Sequence, residues 1–358
     1  MKDNEKKIMV VTLAHAVYFH YGAFLQTFAL QTRLTPFVNL LDFVPNYTYR
    51  VKQKKRQKYP LGWRLLAMWR SLRFRYSSFN EILRLKKTPH YGTVKSVLTS
   101  HSLDFSAYIV GSDQVWNSDF IDECQDVYFL NFGHPSAKRI AYAASLGMRR
   151  WPKDFEKMVL PMLHRFDAIS VREESSVPYL TSLGLKNVVC VCDPTILYKG
   201  DFYREQFNVV DFHNDDYAFI YKLREVLPSG VVSYLHGFKL VSVELEKKKT
   251  LVSIAQWLAN IDHAKFIITD SFHCIVFCIL FHKPFAVIPN RANGKGMDER
   301  FATLLGKTDL EYRVLSCEES KEQVLSILNR PIDWDHVDAI LEEWRTYSGN
   351  WLKQALEK

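Results

Sequence analysis

Short apolar runs alternate with amphipathic stretches of helical period along most of this chain. Ile8 to Leu13 predicts a strand. Gly22 to Leu34, with apolar residues at 24, 25, 28 and 29, predicts a helix, and Val38 to Phe43 a second strand. The rhythm resumes with strands at Tyr108 to Val110, Ile140 to Ala144, Asp167 to Val171 and Val188 to Val191, where Asp193-Pro194 closes the series. Between 195 and 216 the turn-forming stretches YKGD and HNDD break the pattern. Strands follow at Tyr217 to Tyr221 and Lys239 to Val243, then a helix from Ser253 to Asn260 opened by a Ser253-x-x-Gln256 capping box. The stretch Lys265 to Ile288 reads as strand, tight turn, helix (Cys274 to Phe281) and a further strand after Pro284. A last helix runs from about Val337 to Leu356. Strands alternating with helices predict βαβ units and parallel sheets. The expected architecture is two Rossmann-like domains with a cleft between them: residues 1–200, residues 201–335, and a C-terminal helix at 336–358 packing back on the first.

Composition narrows the class. With 358 residues, 47% hydrophobic and 24% charged, the chain is long enough for two cores of ordinary domain size. The opening MKDNEKKIMVVTLAHA has an apolar stretch too short for a secretory signal, and the longest apolar run, Ile275 to Phe281, falls short of the roughly 20 residues a membrane helix needs. A cytoplasmic protein is expected, with the Asn46-Tyr47-Thr48 sequon silent. Six cysteines without a C-x-x-C pair, two of them (Cys190 and Cys192) alternating in an apolar strand, fit buried thiols in a reducing compartment. Cys274, Cys278 and His282 stand at i, i+4 and i+8, and ligands stacked along one helix cannot converge on one ion, so core packing is expected and no metal.

Charge is local. Residues 50–87 hold thirteen Lys or Arg against one acid, Glu81, a net +12 in a chain whose total is +8, so the remainder carries −4. Leu61, Leu65, Met68, Trp69 and Leu72 would share a helical face within this insertion of the first domain. One reading is a solvated basic hairpin whose Trp63 and Trp69 pack on the first domain. The other is a basic amphipathic element held at the inner face of an anionic membrane. No nucleic-acid partner is expected.

The candidate chemistry sits in the loops that follow strands, at the carboxyl edge of each sheet. LAHAVYFHYG, with His15, His20, Tyr21 and Gly22, lacks both G-x-G-x-x-G and the P-loop pattern, as does the rest of the chain, which argues against a dinucleotide enzyme or P-loop NTPase. GSDQVWN places Ser112, Asp113, Gln114 and Trp116 at such an edge. Arg172 directly follows a strand at an expected helix start, where the dipole disfavours a cation. It therefore predicts a bound anion, or else a salt bridge to Glu173 or Asp193. Asp270 and Ser271 are helix-start residues and His273 lies in the first helical turn, setting a titratable ring beside a ready-made anion site. A surface or capping histidine is the competing reading.

Together HYGAFLQTFALQTRL, IVGSDQVWN, AYAASLG, FDAISVREESS, VCDPTIL, FIITDSFHCIVFCILFHKPFAVI, Arg300-Phe301 and the closing Trp344 to Leu356 region resemble the polysaccharide pyruvyl transferase family, in the same order and over nearly the whole chain. The resemblance implies a fold similar to the GT-B glycosyltransferases. It implies transfer of the enolpyruvyl carbons of phosphoenolpyruvate onto two hydroxyls of a bacterial surface-polysaccharide precursor, giving a pyruvate ketal. Phosphoenolpyruvate is then a substrate and no cofactor is needed; the acceptor is a saccharide, with a lipid-linked form left open. By the same resemblance His273 is the catalytic acid or base and Arg172 a donor-binding cation. Two positions depart from the family pattern. Many relatives carry Arg-x-His where this chain has Ser271-Phe272-His273, so the missing charge would fall to Arg291, Lys295 or Arg300, and His20 stands where asparagine commonly precedes Tyr-Gly. Two other readings stay open: a GT-B-like glycosyltransferase taking a nucleotide sugar, with Asp298-Glu299 as the ribose-binding carboxylate, and a non-catalytic scaffold of the assembly pathway.

Overall fold

The computed structural model describes residues 7–14, 20–35, 38–43, 72, 76–121, 123–210, 216–223, 227–244, 252–289, 299–315 and 320–357. The chain divides into two units: residues 1–64, 82–197 and 344–358 form the first, and residues 65–81 and 198–343 the second.

The first unit is built on six parallel strands, β1 (Ile8–Val11), β2 (Val38–Leu40), β3 (Ala107–Val110), β4 (Lys138–Ala144), β5 (Ala168–Val171) and β6 (Val189–Cys190), in the order β2-β1-β3-β4-β5-β6. The inner strands are buried nearly end to end, as their continuous apolar runs require of a parallel sheet covered on both faces. Helix α1 (Tyr21–Leu34) follows β1 and is buried almost all round, with only Thr32 and Arg33 escaping. The strands predicted for β1 and β2 overrun them, since Leu13 lies beyond β1 and Phe43 makes only an isolated bridge to Tyr91, whereas β3 and β4 start one and two residues ahead of the predicted Tyr108 and Ile140.

The second unit repeats the arrangement on four parallel strands, β7 (Tyr217–Lys222), β8 (Lys239–Glu244), β9 (Phe266–Thr269) and β10 (Phe285–Val287), in the order β10-β9-β7-β8. Its first strand therefore lies between its second and third, as β1 lies between β2 and β3 in the other sheet. Where strand order reverses in this way, loops on either side splay apart at the carboxyl edge, and ligands of open α/β sheets bind there. The loops at these two points follow β1 and β3 in the first unit and β7 and β9 in the second.

Helix α2 (Ser176–Ser182) follows β5, and α3 (Ile254–Asp262) begins after Ser253, whose side chain accepts from the Gln256 amide. Helix α4 (Phe272–Leu280) follows β9 and is buried throughout, so Cys274 and Cys278 are core residues. His282 lies beyond the helix end, where it meets Asp338 at 3.0 Å and stacks on Trp334. Helix α5 (Glu299–Lys307) and the 24-residue α6 (Trp334–Glu357) complete the elements used below. α6 begins ahead of the expected 336, and its residues from Trp344 onward belong to the first unit. There Ser348 Oγ accepts from the Cys192 amide at 3.0 Å, Arg345 Nε donates to Ile196 O at 2.8 Å and Lys138 Nζ to Leu356 O at 2.7 Å. Of the expected basic insertion of the first domain, residues 65–81 group with the second unit instead.

Candidate active site

In the first unit the loop after β3 carries the GSDQ motif to the point of strand reversal. Gly111 is required there: its φ is +119° and a Cβ would stand 2.1 Å from the Tyr142 carbonyl oxygen. Asp113 follows at φ 72°, a conformation that aspartate tolerates better than most residues. The Ser112 amide donates to Gln26 Oε1 (3.2 Å), Gln26 Nε2 donates to Thr12 Oγ1 (3.2 Å), and Thr12 Oγ1 donates to Ser112 O (3.0 Å). One buried ring of hydrogen bonds thus ties the loop after β1, the helix α1 and the loop after β3.

Arg172 stands at the centre of the neighbouring charges. Its Nη1 donates to Asp193 Oδ2 at 2.7 Å, Asp113 Oδ1 lies 3.6 Å from Nη2, and Glu173 Oε1 lies 3.9 Å from Nε. Burial alone would lower the guanidinium pKa; the three carboxylates outweigh it and raise the pKa. Asp193 Oδ1 also accepts from the Thr195 amide at 3.0 Å and Thr195 Oγ1 at 2.7 Å, and Ser112 Oγ lies 3.1 Å from Asp193 Oδ2. Glu173 accepts from Ser145 Oγ and, at 3.3 Å, from the Leu146 amide, fixing the loop after β4. Of the two readings of Arg172, these contacts are those of the salt bridge to Glu173 and Asp193. The helix that follows starts only at Ser176, so no dipole conflict arises at Arg172.

Two more residues expected to meet substrate are engaged within the protein. Trp116 is fully buried, its ring stacked on Phe129 at 5.4 Å and its Nε1 donating to Tyr128 O at 3.1 Å. Gln114 is nearly buried and accepts from Asn117 Nδ2 at 2.7 Å. Tyr21 and Gly22 lie inside the buried first turn of α1, behind a half-buried His20 at its N-cap. Ser112, itself fully buried, and the half-buried Asp113 also stand in this loop at the strand reversal.

In the second unit the corresponding loop, after β9, carries Asp270, Ser271 and His273. Ser271 is the N-cap of α4 and its Oγ accepts from the Cys274 amide at 3.4 Å; its own amide donates to Thr269 Oγ1 at 3.1 Å. Asp270 Oδ1 accepts from the Leu223 amide at 2.6 Å, joining the loops after β7 and β9 across the strand reversal. Asp270 thereby serves as a brace. His273 lies in the first turn of α4, 8% exposed, its ring 5.2 Å from that of Phe272. Arg300, in the first turn of α5, brings its Cζ to 5.8 Å from the same Phe272 ring. An imidazole, a guanidinium and the positive end of a helix therefore share one side chain as neighbour. Of the three cations expected to replace the missing arginine, Arg300 is the one described; Arg291 and Lys295 lie outside the described residues, as do His15 and Asp298. Among the described residues no cluster of three His, Cys, Asp or Glu is placed to hold a metal ion.

The family model for polysaccharide pyruvyl transferase matches residues 20–291 of the chain. A comparison with curated proteins finds no match. Among solved structures the chain is similar to a UDP-N-acetylglucosamine 2-epimerase from Listeria monocytogenes, reported as putative (11% identity, TM-score 0.55, covering 98% of this chain and 96% of that one). It is similar also to the UDP-N-acetylglucosamine 2-epimerase of Rickettsia bellii (12% identity, TM-score 0.52, 98% and 95%). At such identities the likeness establishes the fold, GT-B, over nearly the whole chain.

Proposed function

Because the chain belongs to the polysaccharide pyruvyl transferase family, we propose that it transfers the pyruvyl group of phosphoenolpyruvate to two hydroxyls of a saccharide acceptor. The observation that carries this reading is the pairing of His273 and Arg300 on Phe272 at the strand reversal of the second unit. The donor has two anionic groups and a polarisable double bond. Arg300 and the amides at the start of α4 suit its phosphate and carboxylate, and a histidine suits proton transfer near neutral pH.

The reaction balances without a metal or redox partner. A proton from His273 reaches the methylene carbon, leaving an oxocarbenium-like centre at C2, and the first acceptor oxygen bonds there as its proton leaves. The C2–O bond to phosphate then breaks, the second acceptor oxygen bonds to C2, and its proton departs with the phosphate. Of the two hydroxyl protons, one ends in the new methyl group by way of His273 and one on inorganic phosphate. Arg300 offsets the charge gathering on the leaving phosphate, supplying a cation where this chain has Ser271 in place of the family's arginine.

The test supplies phosphoenolpyruvate labelled at C2 together with glycosides bearing free diols and follows the labelled carbon by NMR. A quaternary ketal carbon, with one phosphate released per ketal, is expected. Consumption of a nucleotide sugar with phosphoenolpyruvate untouched would favour the glycosyltransferase reading.

A further inference from the structure

Of the basic segment expected to meet a membrane, Leu61, Trp63, Leu65, Met68 and Trp69 lie outside the described residues, and no helix of the described residues is long and apolar enough to cross a bilayer. The start of α4 carries more. Its first residue is Phe272, 4% exposed although it stands at the carboxyl edge of the sheet among polar and titratable side chains. The His273 ring lies 5.2 Å from the Phe272 ring, at 84° to it, and Arg300 Cζ lies 5.8 Å from the Phe272 centroid. A second ring flanks the same guanidinium: the centroid of Phe301, also 4% exposed, is 5.9 Å from Arg300 Cζ. Arg300 itself is 7% exposed. A guanidinium is seldom buried so far, because burial strips water from its charge. Aromatic faces are the apolar surface that suits it best. Within about 6 Å of a ring centroid the quadrupole attracts the cation, and more strongly where water is excluded.

We propose that Phe272 is a positioning residue, whose ring, together with that of Phe301, holds the Arg300 guanidinium in place for the anionic groups of the donor before the donor arrives. The inference rests on the reading of Arg300 as the donor-binding cation and names what orients it. A free arginine side chain gives up its rotamer freedom at each binding event; one packed against two rings has given it up already, and affinity gains by the difference. The two rings differ in what they can fix. Phe301 is the next residue of α5 and steadies the side chain from its own element. Phe272 belongs to α4, the helix that carries His273, so its contact also sets the cation against the imidazole. A leucine at 272 would fill much of the same space and offer no ring face.

Calorimetric titration of phosphoenolpyruvate into the wild-type protein, Phe272→Leu, Arg300→Ala and the double variant tests it. Phe272→Leu should raise the Kd about fivefold, the scale of one partly desolvated cation–π contact. Because Phe272 acts through Arg300, adding Phe272→Leu to Arg300→Ala should weaken binding no further. In turnover, Phe272→Leu should raise the KM for phosphoenolpyruvate and leave that for the acceptor diol unchanged, a split that general loosening of the fold does not produce. Phe272→Met, flexible and of similar bulk, should give the same pattern and keeps the test decisive should the leucine variant fold poorly. Wild-type affinity in both single variants at 272, or a further loss on adding either to Arg300→Ala, would overturn the inference and leave the donor reading standing. A wild-type protein that does not bind phosphoenolpyruvate would overturn the donor reading and the inference with it.

Discussion

At the scale of single residues the two flagged positions take opposite roles. His273 sits in the first turn of α4 with its ring against Phe272. Replacing it by Ala or Asn should lower turnover by roughly 100-fold while leaving the thermal melt close to wild type, the usual scale for a lost general acid–base group. A folded His273→Ala protein with near-wild-type turnover would remove it from the chemistry. Arg172 is a brace for Asp113, Asp193 and Glu173. Arg172→Ala removes the buried cation that Asp193 meets at 2.7 Å, and urea unfolding should show a loss of about 3–5 kcal/mol. Adding Asp193→Asn removes the charge that Arg172 contacts most closely, so the double variant should be less destabilised than the sum of the singles. Strict additivity would mean that the two do not act as a pair.

At the scale of elements, Gly111→Ala forces a Cβ onto the Tyr142 carbonyl in a backbone conformation that alanine rarely adopts. A destabilisation of about 2–4 kcal/mol is expected, read as a lower urea midpoint; a wild-type midpoint would mean the loop after β3 moves freely. The alternation of apolar strands and helices was legible because both sheets are parallel and their inner strands are buried on both faces, so those strands read as apolar runs. Ser271 was legible as a helix cap for the same local reason, a hydroxyl followed by buried helical residues. What pattern could not show was direction and distance. Trp116 reads as a polar-loop aromatic, yet its ring closes a core cluster with Phe129 and Trp151. The salt bridge of Arg172 to Asp193, one of two readings open in the sequence, is a 2.7 Å contact across a separation of 21 positions, and the Phe272 ring has both His273 and, 28 positions on from Phe272, Arg300 as neighbours. Of the Thr12–Gln26–Ser112 ring only Ser112 stood out in the sequence, since a glutamine in an amphipathic helix ordinarily faces water.

At the scale of the whole molecule, the buried titratable groups predict sensitivity to alkali. Burial pushes the Cys192 thiol up from 9.0 to about 12, and the Tyr128 and Tyr142 hydroxyls are likewise raised by burial. These groups keep their protons when folded and lose them more readily when unfolded. Their contribution is therefore fully present below pH 9 and is lost as pH rises through the folded pKa. For Cys192 alone the slope is about 1.4 kcal/mol per pH unit across that window. Urea midpoints should fall steadily above pH 9, and Cys192→Ala should flatten the fall; an unchanged slope would exclude the thiol as its source. The central claim is that the strand reversal of the second unit holds phosphoenolpyruvate with Arg300 in place of the family's missing arginine. Titration calorimetry with phosphoenolpyruvate tests it most directly. The account predicts saturable binding to the wild-type protein, weakened by about 1.5–3 kcal/mol in Arg300→Ala. Identical binding by the two proteins, or a wild type that binds a nucleotide sugar and not phosphoenolpyruvate, would contradict it.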